Sequence, residues 1–180
     1  MTKTVAIFGS ARPKSVTRLY KEVEEAAELL AGSGWTIATG GGPGLMEAAN
    51  KGAKKVCQEG VCSLGYSIFL PFEAETNEHV QEDHHHKTFF TRLEEFTKCD
   101  AFIALPGGWG TLLEILTVIQ LLQVGHMEAK PLIIVGTENF LLLERAEILL
   151  KKAGYVGVEE GPFWYAVKRP LEAAEHLLKL

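Results

Sequence analysis

Cysteine is scarce in this chain of 180 residues: Cys57, Cys62 and Cys99 are the only three. An odd number, at spacings that suit neither a zinc site nor a redox pair, leads us to expect free thiols in a reducing cytoplasm. Basic residues are in deficit too. Eighteen Lys and Arg face twenty-three Asp and Glu, giving a formal net charge of −5, and no basic cluster offsets it. That balance argues against nucleic acid as a partner, because its phosphates draw a cationic face. No apolar run reaches the roughly 18 uninterrupted residues of a membrane span. The segment from Met1 to Val5 enters a strand-like run without the charged and apolar pattern of a secretory leader. We expect a cytoplasmic protein with no membrane partner.

What the chain has in quantity is apolar sequence, at 47% hydrophobic against 23% charged. A chain of this mass buries about 70% of its unfolded surface and needs no cross-link to hold a core. Short apolar runs alternate with helical spacing. Val5-Ala6-Ile7-Phe8 reads as a strand, and Ser15 to about Leu30 as a helix whose Leu19, Val23, Ala26, Ala27 and Leu30 share one stripe. Trp35–Thr39 is a second strand, followed by a helix opening at Leu45. A weaker strand spans Cys62–Leu70, and residues 71–86, polar and rich in Glu and His, read as a long surface loop. A helix over about Lys87–Lys98 precedes the strand Ala101–Leu105, and another runs from Thr111 to about Gln123. Leu132–Val135, a helix near Phe140–Lys152, Tyr165–Val167 and a closing helix Leu171–Leu178 complete the series. Uniformly apolar strands separated by helices predict a doubly wound α/β domain, Rossmann-like, with a parallel sheet covered on both faces over residues 1–180.

Ligands of such sheets bind beyond the carboxyl ends of the strands, at the switch point of strand order. Three glycine-bearing strand ends qualify: Gly9-Ser10-Ala11, Gly40-Gly41-Gly42-Pro43-Gly44 and Gly107-Gly108-Trp109-Gly110. Glycine admits a ligand to bare backbone, and the helix that follows presents unpaired N–H groups and a positive dipole end suited to phosphate. The same glycines also serve simple tight turns. Neither G-x-G-x-x-G nor G-x-x-x-x-G-K-[ST] occurs, which removes the support for a dinucleotide or P-loop site and leaves a phosphate held by backbone N–H groups.

The run Pro106-Gly107-Gly108-Trp109-Gly110-Thr111-Leu112-Leu113-Glu114 says more. Thr111 at a helix start and Glu114 three residues on are in capping-box register. The helix is otherwise nearly all apolar, so it is buried in a core or against a partner chain. Glu114 there is either a satisfied cap or a carboxylate held for chemistry.

This run matches P-G-G-x-G-T-x-x-E, and with it the chain resembles the Lonely Guy family, the cytokinin riboside 5′-monophosphate phosphoribohydrolases long labelled possible lysine decarboxylases. Phe8-Gly9-Ser10-Ala11, Gly40–Met46 and Asp100–Leu105 fit as well, so the likeness spans residues 4 to about 136. It implies a Rossmann-like, usually dimeric protein that hydrolyses the N-glycosidic bond of a nucleoside 5′-monophosphate to free base and ribose 5-phosphate, without a cofactor. By resemblance Gly108, Gly110 and Thr111 hold the phosphate, and Glu114 is the catalytic carboxylate. The family's arginine, commonly in an R-K pair, stands 23 residues before that glutamate. Thr91 occupies that position here, and the arginine is Arg92. One residue turns a helical side chain by about 100°. Arg92 therefore either reaches the site after a local adjustment or pairs at the surface with Glu94, Glu95 or a loop carboxylate.

Together the expected phosphate and nucleotide contacts are Gly9, Ser10, Gly41, Gly42, Gly44, Gly107, Gly108, Gly110 and Thr111, with Glu114 and Arg92 catalytic. His84-His85-His86, with His79 and Asp83 nearby, lack the spacing of a metal site, and no metal is expected. Nothing supports a pyridoxal lysine. No side chain offers itself as the general acid for the departing base. The apolar 111–123 helix is the expected homodimer contact. A non-catalytic nucleotide-binding or carrier protein is the alternative, since one fold hosts many functions.

Overall fold

The computed structural model describes residues 2–68 and 76–180. Among them seven strands form one all-parallel sheet in the order β4-β3-β2-β1-β5-β6-β7. The strands are β1 (Thr4–Phe8), β2 (Thr36–Thr39), β3 (Ser63–Ile68), β4 (Glu82–His86), β5 (Ala101–Ala104), β6 (Leu132–Val135) and β7 (Tyr165–Val167). The helices between them are α1 (Arg18–Gly32), α2 (Leu45–Val56), α3 (Phe89–Thr97), α4 (Trp109–Gln123), α5 (Glu138–Lys152) and α6 (Pro170–Leu177). This is the doubly wound Rossmann-like α/β architecture expected from the alternating pattern.

Side-chain alternation along β1 builds the two cores. Val5 and Ile7 face α1, α2 and α6, packing with Tyr20, Leu30, Leu45 and Leu177. Ala6 and Phe8 face the opposite way, toward Phe96 of α3, Ile115 and Val118 of α4, and Leu143 of α5. Phe8 meets Phe96 edge-on with centroids 5.1 Å apart. Strands buried on both faces are mostly apolar, as β5, β6 and Val5–Phe8 of β1 are. Thr17 caps α1, its hydroxyl accepting from the Tyr20 N–H at 3.3 Å. The helix therefore begins three residues later than Ser15.

Two expectations are corrected. Residues 82–86, read as part of a loop, form β4, pairing Leu64 with Glu82 through to Ile68 with His86. An edge strand has one neighbour and one open side, so backbone pairing holds it without the apolar code of an interior strand. Residues 69–75, which include the end of the expected third strand and Glu73 and Glu75, lie outside the described residues. Cys57 and Cys62 are joined in a disulfide rather than free. Cys57 ends α2 and Cys62 precedes β3, and the turn between them brings their Cα atoms to 5.8 Å, within bridging range. Cys99 remains a free, buried thiol. No helix among the described residues is long and apolar enough to cross a membrane.

Candidate active site

The strand order divides at β1, which pairs with β2 on one side and β5 on the other. Loops leaving adjacent carboxyl ends there diverge and open a cleft of about 1060 Å³. Its walls are Gly9–Pro13 after β1, Gly40 after β2, Pro106–Gly108 after β5, the first turn of α4 and Arg92 from α3.

These loops are tied to one another by backbone. The Ser10 N–H donates to the Pro106 carbonyl at 3.1 Å, and the Leu45 N–H donates to the Ser10 carbonyl at 2.9 Å. Gly44, at φ +72°, lies against the backbone of Ala11, where any side chain would both strain φ and strike that carbonyl. The glycine loop after β2 is also braced from within the fold. The Gly41 N–H donates to Thr39 Oγ1 at 3.0 Å. Asn77 Nδ2 donates to the Gly41 and Gly42 carbonyls, each at 3.0 Å, and to Asn50 Oδ1 at 3.1 Å. Asn50, fully buried, also accepts from Thr39 Oγ1 at 2.6 Å. Gly41, Gly42 and Gly44 accordingly sit behind the cleft, and only Gly40 of that loop lines it.

The loop after β5 behaves differently. Gly108 is the N-cap of α4 and has no side chain to cap it, so the first N–H groups of the helix lack a side-chain acceptor. Of the two readings of Glu114, the capping box with Thr111 does not form, because the helix starts at Trp109 and Thr111 is already its third residue. Thr111 is buried, its hydroxyl lying beneath Gly107 where a Cβ would collide with it.

Glu114 lies one turn further along α4, on the face that also buries Thr111, Ile115 and Val118. Arg92 lies on the face of α3 that buries Leu93 and Phe96. The two side chains meet: Arg92 Nη2 is 3.1 Å from Glu114 Oε1, and their residues are only 9% and 7% exposed. Arg92 is fixed by more than this pair. Its Nε donates to the Tyr66 carbonyl at 2.7 Å, and its guanidinium lies 5.2 Å from the Phe96 ring centroid. Gly40 leaves the room for it, since a Cβ there would run into Nη2. Burial pushes the Glu114 carboxyl up from 4.5 to about 7, against the opposing pull of the Arg92 charge and hydrogen bond. A carboxyl with that value is divided between its two forms near neutral pH, as a general base or acid requires.

Of the residues singled out from the sequence, Gly9, Ser10, Gly107, Gly108, Gly110, Thr111, Arg92 and Glu114 share the cleft. Sequence reasoning missed Arg12 and Glu138, and the apolar wall of Leu19, Met46, Ile68 and Phe89. Arg12 carried a signal, a cation between a glycine turn and Pro13; Glu138 carried none. Trp109 stands 86% exposed at the mouth. The histidines are elsewhere, on β4: His84 Nε2 lies 2.6 Å from Glu82, and His85 Nδ1 lies 2.9 Å from Ser67 Oγ, which donates to Asp83. Outside the cleft, Leu113, Leu116 and Phe90 line a groove of about 1050 Å³ between α3 and α4.

A family described as "possible lysine decarboxylase" matches residues 46–177. No curated protein matches the chain. Among solved structures, the molybdenum cofactor carrier protein of Chlamydomonas reinhardtii superposes with a TM-score of 0.66 at 17% identity, over 99% of this chain and 98% of that one. The molybdenum cofactor binding protein of Rippkaea orientalis gives 0.65 at 22% identity, over 99% and 96%. DNA processing protein A of Helicobacter pylori, a single-stranded DNA binder, gives 0.58 at 19% identity, over 99% and 81%. At these identities the likeness is one of fold.

Proposed function

We propose that this chain, which belongs to the Lonely Guy family once described as possible lysine decarboxylases, hydrolyses the N-glycosidic bond of a nucleoside 5′-monophosphate. The observation that carries the reading is the buried Arg92–Glu114 pair at the floor of a cleft whose rim is an uncapped helix N-terminus. The phosphate docks on the N–H groups around Gly108 and Gly110 beside Thr111, and Gly9 and Ser10 shape the opposite wall. The ribose then lies over Glu114. As the C1′–N bond lengthens, its electron pair leaves with the base and positive charge develops at the sugar, where an ionised Glu114 stabilises it electrostatically. Glu114 takes a proton from the water that attacks C1′, the departing base takes its proton from solvent, and Glu114 returns its proton to solvent to complete the cycle. Free base and ribose 5-phosphate result. Arg92 keeps Glu114 in place and offsets its charge in the ground state. Leu19, Met46, Ile68 and Phe89 supply apolar surface for a base of adenine or cytokinin type. No step calls for a metal or cofactor.

The groove at α4 supports a homodimer. Leu116 is 52% exposed and Phe90 83%, side chains that a second copy would cover. Two of the structural neighbours are named as carrying or binding the molybdenum cofactor. This supports a second reading, a carrier that holds a phosphorylated ligand in the same cleft without cleaving it. The two readings separate on product. Purified protein incubated with a panel of nucleoside monophosphates, including adenosine 5′-monophosphate and an isopentenylated analogue, is assayed for free base and ribose 5-phosphate, with ligand binding measured in parallel. Base release supports the hydrolase; binding without release from any member supports the carrier.

A further inference from the structure

Two arginines line the cleft, and only one of them is committed. Arg92 donates to Glu114 and to the Tyr66 carbonyl. Arg12 uses its backbone N–H, which donates to Ser10 Oγ at 3.2 Å. Its guanidinium has no carboxylate partner among the described residues, and the residue is exposed at the cleft. The segment beneath it is nonetheless fixed. Ser10 is hydrogen-bonded to Pro106 and to Leu45 on either side, Gly44 packs against Ala11, and Pro13 restricts the backbone of Arg12 to extended conformations. A braced base therefore carries an exposed cation beside the Gly107–Gly110 loop.

The charge of the lining gives that cation a task. A phosphomonoester brings close to two negative charges at neutral pH. Among the described residues the opposing fixed charges are Glu114 when ionised and Glu138, and Arg92 offsets only one of them. Without Arg12 the cleft would hold an excess carboxylate and would repel the ligand it is shaped for. The partial charge of the α4 N-terminus is about half a unit, too little to reverse this alone.

We infer that Arg12 is the residue that selects a phosphomonoester, its guanidinium closing on the phosphate from the loop after β1 while the N–H groups of α4 hold it from the loop after β5. The planar fork of arginine matches two phosphate oxygens at once, which a lysine does not. The assignment rests on the proposal that the cleft takes a phosphorylated ligand, and holds for the hydrolase and carrier readings alike.

The test is binding by calorimetry of the carbocyclic analogue of adenosine 5′-monophosphate, a monophosphate with no glycosidic bond to hydrolyse, and of adenosine, with Glu114 left in place so that the charge balance of the cleft is unaltered. Arg12→Gln is expected to weaken the monophosphate roughly 10- to 100-fold and to leave adenosine within about twofold. Arg12→Lys recovers part of the loss, and the salt dependence of monophosphate binding flattens in Arg12→Gln. Unchanged thermal unfolding of both variants establishes that they are folded. A parent that prefers the monophosphate, with the same preference kept in Arg12→Gln, overturns the role of Arg12 and leaves the phosphate site standing on backbone alone. A parent with no preference for the monophosphate overturns the phosphate reading itself.

Discussion

Replacing Arg92 by methionine removes a charge from the interior while keeping most of the side chain's volume, and its cost must depend on pH in a defined way. In the wild type Glu114 titrates near 7 when folded and at its ordinary 4.5 when unfolded. A carboxyl raised in this way holds its proton more tightly in the folded state, so the stability it contributes is complete below 4.5 and lost as pH rises to about 7. Above that value both states are ionised and the contribution is flat. Arg92 pulls the Glu114 value down, so its removal moves the folded value further up and extends the decline beyond 7. The difference in stability between wild type and Arg92→Met then grows by about 1.4 kcal/mol for each pH unit above 7. It continues until Glu114 ionises in the variant or the total reaches the 3–5 kcal/mol typical of a buried pair robbed of one partner, an order-of-magnitude ceiling. Near pH 6 the difference is at its lowest, because a protonated Glu114 leaves no unpaired charge behind and only the pH-independent loss of the Tyr66 and Phe96 contacts is left. Other titrating groups cancel in the comparison. Urea unfolding of both proteins from about pH 6 to about pH 9 measures it. A difference constant across that range would refute the burial and pairing of Glu114 as described.

The same carboxyl governs rate. With ionised Glu114 as the active form, kcat/KM should climb through an acid limb near 7 and level off above it, read from a pH–rate profile; a profile flat from about 5 to about 9 counts against Glu114 as base. Gly40→Ala should displace Arg92 through collision with its Nη2, costing about 1–3 kcal/mol in urea unfolding and lowering activity together. Asn50→Ala strips Thr39 and Asn77 of a shared buried acceptor and should cost about 1–3 kcal/mol, seen as a lower urea midpoint. Leu116→Glu puts a charge on the exposed face of α4 and should convert a dimer to monomer by light scattering, whereas a wild type already monomeric would remove that surface from consideration.

How much of this was legible in the sequence follows from where each signal resides. Interior strands announce themselves because both faces are buried: Val5–Phe8, Ala101–Ala104 and Leu132–Val135 are apolar at every position. Glu82–His86 gave no such sign, since it is held by backbone pairing to β3 at an open edge. The Cys57–Cys62 pairing depends on a turn geometry that an odd count of three obscured. The glycines were conspicuous, but their tasks differ by what surrounds them. Gly41, Gly42 and Gly44 are engaged by Thr39, Asn77 and Ala11, residues up to 36 positions away. Gly108 is engaged by no cap and stays open to a ligand. Arg92 could not be placed from spacing, because a one-residue offset rotates it about a third of a turn. Its direction comes from Tyr66, Phe96 and the space left by Gly40, three separate elements. Glu138 enters the cleft from the first turn of α5 with no motif around it.

The central claim is that Glu114, paired with Arg92 in the cleft, cleaves the N-glycosidic bond. Its most direct test is the rate at which wild type and Glu114→Gln release adenine from adenosine 5′-monophosphate, with nucleotide binding measured on the same samples. The account predicts steady release by the wild type, a loss on the order of 100-fold or more in the variant, and retained binding in both. Equal release by the two proteins, or no release by a wild type that binds the nucleotide, would contradict it.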